Sequence, residues 1–242
     1  MPEVKTEFAT LKISDGTNMQ VFIAYPEGSA KSPGILVFQE AFGVNAHIRD
    51  VTERFAKQGF VAIAPELFHR TAPAGYEGSY SDFQSVMPHV MALKDASLEA
   101  DLRATQEALV RHRAVDPQRI ACVGFCMGGR VSFLADLILP LRAAISFYGG
   151  GIAKSERGPG LLERVAQIHA PILLFWGGLD KHIGPDQRDA VADALRSAHK
   201  TFASMEFADA DHAFFCDARP AYNKQAAEQS WTLSLAFLKS NL

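Results

Sequence analysis

The feature that most constrains the fold of this 242-residue chain is a series of short apolar runs separated by segments with helical spacing. Most runs are continuous in apolar residues, which is typical of strands buried on both faces of a parallel sheet. Because strands and helices alternate, the pattern predicts a doubly wound α/β sheet with right-handed crossovers. The predicted strands are 34–38, 60–64, 120–123, 143–148, 172–175 and 202–207.

An antiparallel hairpin is predicted at the N-terminal end, where residues 21–25 follow a turn sequence at 15–18. One helix is predicted over 96–113, with Asp116-Pro117 ending it before the next strand. Another is predicted at the C-terminal end from the helical spacing of Ala227, Trp231, Leu235 and Leu238. No internal repeat or linker divides the sequence, so we expect a single domain over residues 1–242.

Composition argues against several classes of function. The formal net charge is −3 and lysines and arginines form no run, so nucleic acid is not an expected partner. The apolar runs are shorter than the ~20 residues that a membrane-spanning helix needs, and the first ten residues lack the apolar core of a secretory signal. Three cysteines cannot all pair and show no metal-binding spacing, which indicates free thiols, a cytoplasmic location and no bound metal.

The strongest chemical signal is the sequence from Gly124 to Gly129, Gly-Phe-Cys-Met-Gly-Gly, between the predicted strand 120–123 and a helical pattern that begins near Met127. A nucleophile on a tight strand-to-helix turn needs small residues around it. The helix N-terminus beneath Cys126 would stabilise a thiolate. The alternative is that Cys126 is a buried packing residue, the interpretation that we prefer for Cys122 and Cys216 because neither lies on such a turn.

A nucleophilic thiol needs a base, and His212 is the candidate because it follows the last predicted strand through a short loop. Asp180 follows the preceding strand in the same way, so the two side chains can reach Cys126 from adjacent loops. The order nucleophile, acid, histidine is that of hydrolases with a strand-to-helix nucleophile.

Other assignments remain open. Asp180 also fits a turn residue, since Asp after two glycines is common in turns. Asp186 is a rival acid, although its position after Pro185 favours the first turn of a helix. His182 is an alternative base. The loop 70–80, which is rich in glycine, is a candidate mobile cover over a site.

Taken together, five segments of the sequence resemble the dienelactone hydrolase family, also called carboxymethylenebutenolidases. In chain order they begin at Gln39, Ala64, Gly124, Trp176 and Asp211, and read QEAFGVN, APEL, GFCMGG, WGGLD and DHAF. The resemblance spans nearly the whole chain. It implies an α/β-hydrolase fold and hydrolysis of a small-molecule ester or lactone, without a metal or organic cofactor.

The resemblance also implies further site residues. Glu40 would contact the resting thiol and receive its proton when substrate binds, a role that burial favours because burial raises the pKa of a carboxyl group. The backbone N–H groups of Met127 and Ala41 would form the oxyanion hole. His212 would protonate the leaving oxygen and then activate water to hydrolyse a Cys126 thioester.

The sequence departs from the family pattern at the residues that bind the carboxylate of the substrate. Family members that cleave dienelactone hold this group with arginines, one of them four positions after the histidine, where this chain has Cys216. Residues 74–94, where a second arginine is expected, contain none. Phe42 and Phe214 therefore become candidate substrate contacts, and Arg219 is the possible replacement cation. Alternative functions are an acyl transferase or thioesterase with the same triad, a non-catalytic ligand-binding protein, and redox sensing by Cys126.

Overall fold

The computed structural model describes residues 3–28, 31–154 and 160–242. The chain forms two compact units, Met1–Cys122 and Val123–Leu242. One strand, β5 (Val115–Phe125), runs through the division and contributes residues to both units.

The first unit is an α/β structure in which an antiparallel pair precedes parallel strands. β1 pairs with β2 and β2 with β4 in antiparallel fashion, whereas β3 and β4 are parallel, and the strand order is β1-β2-β4-β3-β5. Its elements are β1 (Val4–Lys12), β2 (Asn18–Pro26), β3 (Ser32–Phe38), α1 (Ala46–Lys57), β4 (Val61–Pro65), α2 (Phe83–Ala92) and α3 (Asp95–Arg111).

The predicted hairpin is confirmed, because β1 and β2 pair in register from Val4 opposite Pro26 to Lys12 opposite Asn18. Helix α3 ends at Arg111, two residues before the predicted end. The strand expected to begin at Ile120 begins at Val115, so Asp116 and Pro117 lie inside it and do not mark its outer boundary. Val115 is fully buried, and a proline near the start of a strand need not break the ladder.

The second unit contains parallel strand pairs. Strand order is β5-β6-β7-β8, and β7 is parallel to both β6 and β8. The elements after β5 are α4 (Met127–Ile138), β6 (Ala143–Phe147), a short 3-10 helix (Leu162–Gln167), β7 (Ile172–Gly177), α5 (Pro185–Ser197), β8 (Phe202–Phe207) and α6 (Lys224–Asn241). The predicted fold class, a mostly parallel α/β fold with an N-terminal antiparallel pair, is confirmed.

Burial within the second unit explains why its strands read as continuous apolar runs. Every residue of β6 and β7 is buried, whereas the middle of β8, the last strand in the order, is exposed. The aromatic rings of Phe147 and Phe175 pack with centroids 4.6 Å apart. β6, β7 and β8 are parallel, and β5 is joined to its neighbour β6 through helix α4, the kind of crossover that connects parallel strands. The carboxyl ends of these strands therefore share one edge, from which the loops that carry the chemical groups emerge.

The carboxyl group of Asp136, near the end of α4, is fully buried. Its Oδ1 accepts the N–H of Ala170 at 2.9 Å. Burial raises the pKa of Asp136 from 3.8 to about 7, although hydrogen bonds from Ala170 and His169 and the positive charge of Lys200 act in the opposite direction. The folded protein therefore binds this proton more tightly than the unfolded chain does.

We predict that Asp136→Asn removes a pH-dependent loss of stability. For a carboxyl whose pKa is raised on folding, the free energy of unfolding falls as pH rises from about 4 through about 7, here by up to about 4 kcal/mol. The asparagine variant should lack this fall, so its advantage over wild type in urea unfolding should grow between pH 5 and pH 8. Asp189→Asn, at an exposed position of α5, is the control. Parallel pH profiles for wild type and Asp136→Asn would contradict the assignment.

Candidate active site

Cys126 occupies a single-residue turn between β5 and α4. Its φ of 55° lies in the left-handed region, which is costly for residues other than glycine. Two hydrogen bonds fix the conformation: the N–H of Cys126 donates to the carbonyl of Phe147 at 3.0 Å, and the N–H of Gly129 donates to the carbonyl of Cys126 at 2.9 Å. The thiol is consequently held at the N-terminus of α4, where the helix dipole favours negative charge.

Glycines next to this turn are required by space. A Cβ at Gly124 would overlap the carbonyl oxygen of Gly128, and a Cβ at Gly129 would lie 2.6 Å from the carbonyl oxygen of Phe147. Real side chains do not make contacts as close as these two. The strand and the helix can therefore approach each other this closely only because positions 124 and 129 carry no side chain. The small residues expected from the sequence are therefore needed for the turn to form.

The structure brings Cys126, His212 and Asp180 together within the second unit. The Nε2 atom of His212 lies 3.1 Å from the Cys126 sulfur, and its Nδ1 atom lies 2.7 Å from Oδ2 of Asp180. The imidazole thus bridges a thiol and a carboxylate that are 54 residues apart in the chain. This is the geometry of a nucleophile, a base and an orienting acid.

Two loops place the acid and the histidine, and backbone hydrogen bonds join them. The N–H of Gly178 donates to the carbonyl of Phe207 at 2.8 Å, and the N–H of Leu179 donates to the carbonyl of Ala210 at 2.9 Å. A Cβ at Gly177 would lie 2.6 Å from the carbonyl oxygen of Ala210. The loop after β7 therefore packs against the loop after β8, so both side chains hold a fixed separation.

The electrostatics favour an ionised pair at Asp180 and His212. Burial raises the pKa of Asp180, but the hydrogen bond and charge of His212 and the N–H groups of His182 and Ile183 outweigh it and hold the pKa below its usual value. Burial likewise lowers the pKa of His212, but the charges and hydrogen bonds of Cys126 and Asp180 prevail and raise it to about 10. The imidazolium is therefore the stable form at neutral pH.

Two aromatic rings contact His212, and the sequence did not predict either contact. The ring of Tyr148, which is fully buried, lies 5.2 Å from that of His212 between centroids. The ring of His182 lies 5.4 Å from it at an angle of 78°. In the sequence analysis Tyr148 ended a predicted strand and His182 was an alternative base. Neither prediction indicated that the side chain would contact the ring of His212.

The remaining predicted residues of the first unit lie in the segment after β3. Glu40 and Phe42 are each 1% exposed and Ala41 is 3% exposed. The side chain of Gln39 holds the segment, because its amide nitrogen donates to the carbonyl of Glu40 at 3.2 Å and its oxygen accepts the N–H of Leu67 at 3.0 Å. The ring of Phe42 packs edge-on against another aromatic ring, so it belongs to the core of the first unit.

The loop 70–80, expected to be a mobile cover, is held at two points. Both carboxylate oxygens of Glu66 accept the N–H of Gly75, at 3.1 and 3.0 Å. The N–H of Gly78 donates to the carbonyl of Phe42 at 3.0 Å. Two tyrosines of the loop pack on Ala41, Phe42 and Val86. Its mobility remains a prediction.

The predicted residues after His212 take different positions. Phe214 is fully buried, with its ring 5.2 Å from that of Tyr148 and 5.3 Å from that of Phe207. Cys216 is also fully buried, whereas Arg219 is half-buried. Met127 is the first residue of α4, where backbone N–H groups have no partner within the helix.

The described residues lack two further features. They contain no group of three or more His, Cys, Asp or Glu side chains that could hold a metal ion. In the part of the chain that the structure describes, every helix is too short or too polar to cross a bilayer.

These features define an α/β-hydrolase fold with a thiol at the strand-to-helix turn. The profile of the dienelactone hydrolase family matches residues 19–242, and the chain belongs to that family. A protein from Synechocystis sp. with the provisional name carboxymethylenebutenolidase is 34% identical over 239 residues, covering 95% of this chain and 94% of its own. An Escherichia coli K12 protein with the same provisional name is 35% identical over 231 residues, covering 93% of this chain and 84% of its own.

A solved structure agrees with these relatives. The crystal structure of a Klebsiella pneumoniae protein, provisionally named a dienelactone hydrolase, superposes with a TM-score of 0.89 at 32% identity, covering 98% of this chain and 99% of its own. The chain is therefore an ester hydrolase of the dienelactone hydrolase family, which acts on small molecules.

The three thiols should differ sharply in reactivity. Cys126 is half-buried and lies against an imidazolium, whereas Cys122 and Cys216 are fully buried. Thiolate character and access control alkylation. We predict that iodoacetamide labels the native protein to about one equivalent, and that peptide mass spectrometry finds the label on Cys126. His212→Ala should slow labelling. Faster labelling of Cys216 would be incompatible with this assignment.

Proposed function

We propose that this protein hydrolyses small esters or lactones by attack of the Cys126 thiolate on the carbonyl carbon, through a thioester acyl-enzyme. The observation that carries the proposal is the imidazole of His212, 3.1 Å from the Cys126 sulfur and 2.7 Å from the Asp180 carboxylate. A second support is the raised pKa of His212, since an imidazolium beside a thiolate is the reactive form of such a pair.

The proposed reaction has an acylation stage and a deacylation stage. The thiolate adds to the ester carbonyl, and backbone N–H groups of Met127 and Ala41 stabilise the oxyanion. His212 gives the proton on Nε2 to the leaving oxygen as the carbon–oxygen bond breaks, leaving Cys126 acylated. The neutral imidazole then takes a proton from water, which attacks the thioester and releases the acid. Asp180 keeps the imidazole oriented through Nδ1.

Glu40 is proposed to take part in activating the thiol. Its carboxyl group is almost completely buried at the end of β3, in the segment that resembles the family most specifically. It would hold the proton of the thiol while substrate is bound.

The substrate is proposed to be a small neutral or aryl ester or lactone. A substrate carboxylate that enters an apolar pocket without a partner loses several kcal/mol of hydration. Arginine is the side chain best suited to hold it, since its planar fork binds both oxygens. Residues 74–94 contain no arginine, and Cys216 stands where the family has one. Arg219, which is half-buried, is the alternative partner.

The experiment that tests this function is a panel of aryl esters, neutral lactones and dienelactone, assayed with wild type, Cys126→Ala and His212→Ala. We expect wild type to prefer the neutral substrates, Cys126→Ala to lose hydrolysis, and His212→Ala to lose about a thousandfold in kcat/KM. Retained activity in Cys126→Ala would refute the nucleophile. A preference for dienelactone that disappears in Arg219→Ala would refute the proposed substrate class.

The alkaline limb of the pH profile should separate the role of His212 as proton donor to the leaving oxygen from its effect on the reactivity of the Cys126 thiolate. Above a pH of about 10 its imidazole loses the proton that the leaving oxygen needs. We therefore expect kcat/KM for an ester with an alkyl leaving group to fall through this region. Alkylation of Cys126 by iodoacetamide should not fall, because it needs only the thiolate. A common decline of both rates would mean that unfolding, and not deprotonation of His212, sets the limb.

A further inference from the structure

The imidazole of His182 has no role in the proposed reaction, although it contacts His212. His182 is exposed, and its ring stands nearly perpendicular to that of His212 with centroids 5.4 Å apart. Its main chain is fixed on both sides, since its N–H donates to Oδ1 of Asp180 at 2.8 Å and its carbonyl accepts the side-chain amide of Gln187 at 3.2 Å. The ring is therefore held beside His212 by a loop that is already anchored.

Four side chains lie against the imidazole of His212 in the second unit. Asp180 occupies Nδ1 and Cys126 occupies Nε2. Of the two rings that contact the imidazole, that of Tyr148 is fully buried and that of His182 is exposed. The ring of His182 is therefore the one of these two that a group arriving from solvent can touch while it lies beside His212. During hydrolysis that group is the leaving oxygen with its substituent.

We propose that His182 determines leaving-group specificity, with its imidazole packing against the alcohol portion of the ester and favouring aromatic over alkyl leaving groups. This inference rests on the proposed function. At the step concerned, the carbon–oxygen bond breaks, the proton on Nε2 of His212 passes to the oxygen, and the products are a free alcohol or phenol and the Cys126 thioester. His182 neither gives nor takes a proton; it is a specificity-determining residue.

Aromatic leaving groups are favoured because of the shape and chemistry of the contact. Planar rings pair well at centroid separations of about 4.5–7 Å, in tilted or offset arrangements. An ethyl or methyl group offers no ring face and less apolar area to the imidazole. The contact exists only until the alcohol departs, so it should influence acylation of Cys126 and have no effect on deacylation.

The test compares phenyl acetate with ethyl acetate, which form the same acetyl-Cys126 enzyme. Rapid-mixing kinetics would measure acylation for each ester and deacylation for both, with wild type, His182→Ala and His182→Phe. We expect His182→Ala to slow acylation by phenyl acetate by about threefold to tenfold, with less than about a twofold effect on ethyl acetate and an unchanged deacylation rate. His182→Phe should keep the aromatic preference. Lys181→Ala, at the neighbouring exposed position, is the matched control and should behave as wild type.

The contrary results are distinct. If His182 only supports the loop that holds Asp180, His182→Ala slows both acylations and deacylation together, because His212 serves all three steps, and the proposal is overturned. An unchanged ratio between the two esters overturns it as well. Failure of the proposed function has a separate signature, which is the absence of acetylated Cys126 in quenched wild-type samples analysed by mass spectrometry.

Discussion

The hydrogen-bonded chain from Asp180 through His212 to Cys126 is the interaction on which the second unit depends. It joins the ends of β5, β7 and β8, because each of these strands delivers one of the three residues. The parallel arrangement makes this possible, since parallel strands all finish at the same edge. A sheet of alternating direction would send neighbouring loops to opposite edges.

Holding charge inside a folded unit is expensive unless every charged atom has a partner. Asp180 meets this requirement with both oxygens, as Oδ2 accepts from His212 while Oδ1 accepts from two backbone N–H groups. Backbone donors cannot be displaced without unfolding the loop, so the carboxylate is fixed in orientation as well as in charge. The consequence for His212 is chemical, because the fixed anion on one nitrogen favours the protonated ring that faces the sulfur. Asp136 shows the opposite case, in which burial prevails over the groups that favour the charged form and raises the pKa.

The sequence predicted the features that depend on local pattern. Continuous apolar runs indicated the parallel strands, and the glycines around Cys126 indicated the turn. The first residue of β5 was harder to predict. The burial of Val115 depends on tertiary packing, and the neighbouring residues Asp116 and Pro117 carry no signal for it. The contacts of Tyr148 and His182 with His212 were also beyond prediction, since ring orientation depends on loops 64 and 30 residues away in the chain. For Phe214, the missing arginines suggested a substrate contact, which stays a prediction, and its full burial among other aromatic rings was not indicated by the sequence pattern.

The position of Phe214 indicates what the aromatic residues near the site do for it. In the described residues, four amino acids other than glycine have positive φ, and three of them are Cys126, Tyr148 and Ala213. Each lies directly after a strand or beside His212, so unfavourable backbone conformations are concentrated where the chemical groups must be placed. Such conformations persist only when the surrounding packing determines them. The buried rings that follow β6 and flank His212 supply this packing, because a close-packed aromatic cluster resists the rearrangement that would relax the backbone. The apolar core is therefore what fixes the separation of thiol and imidazole.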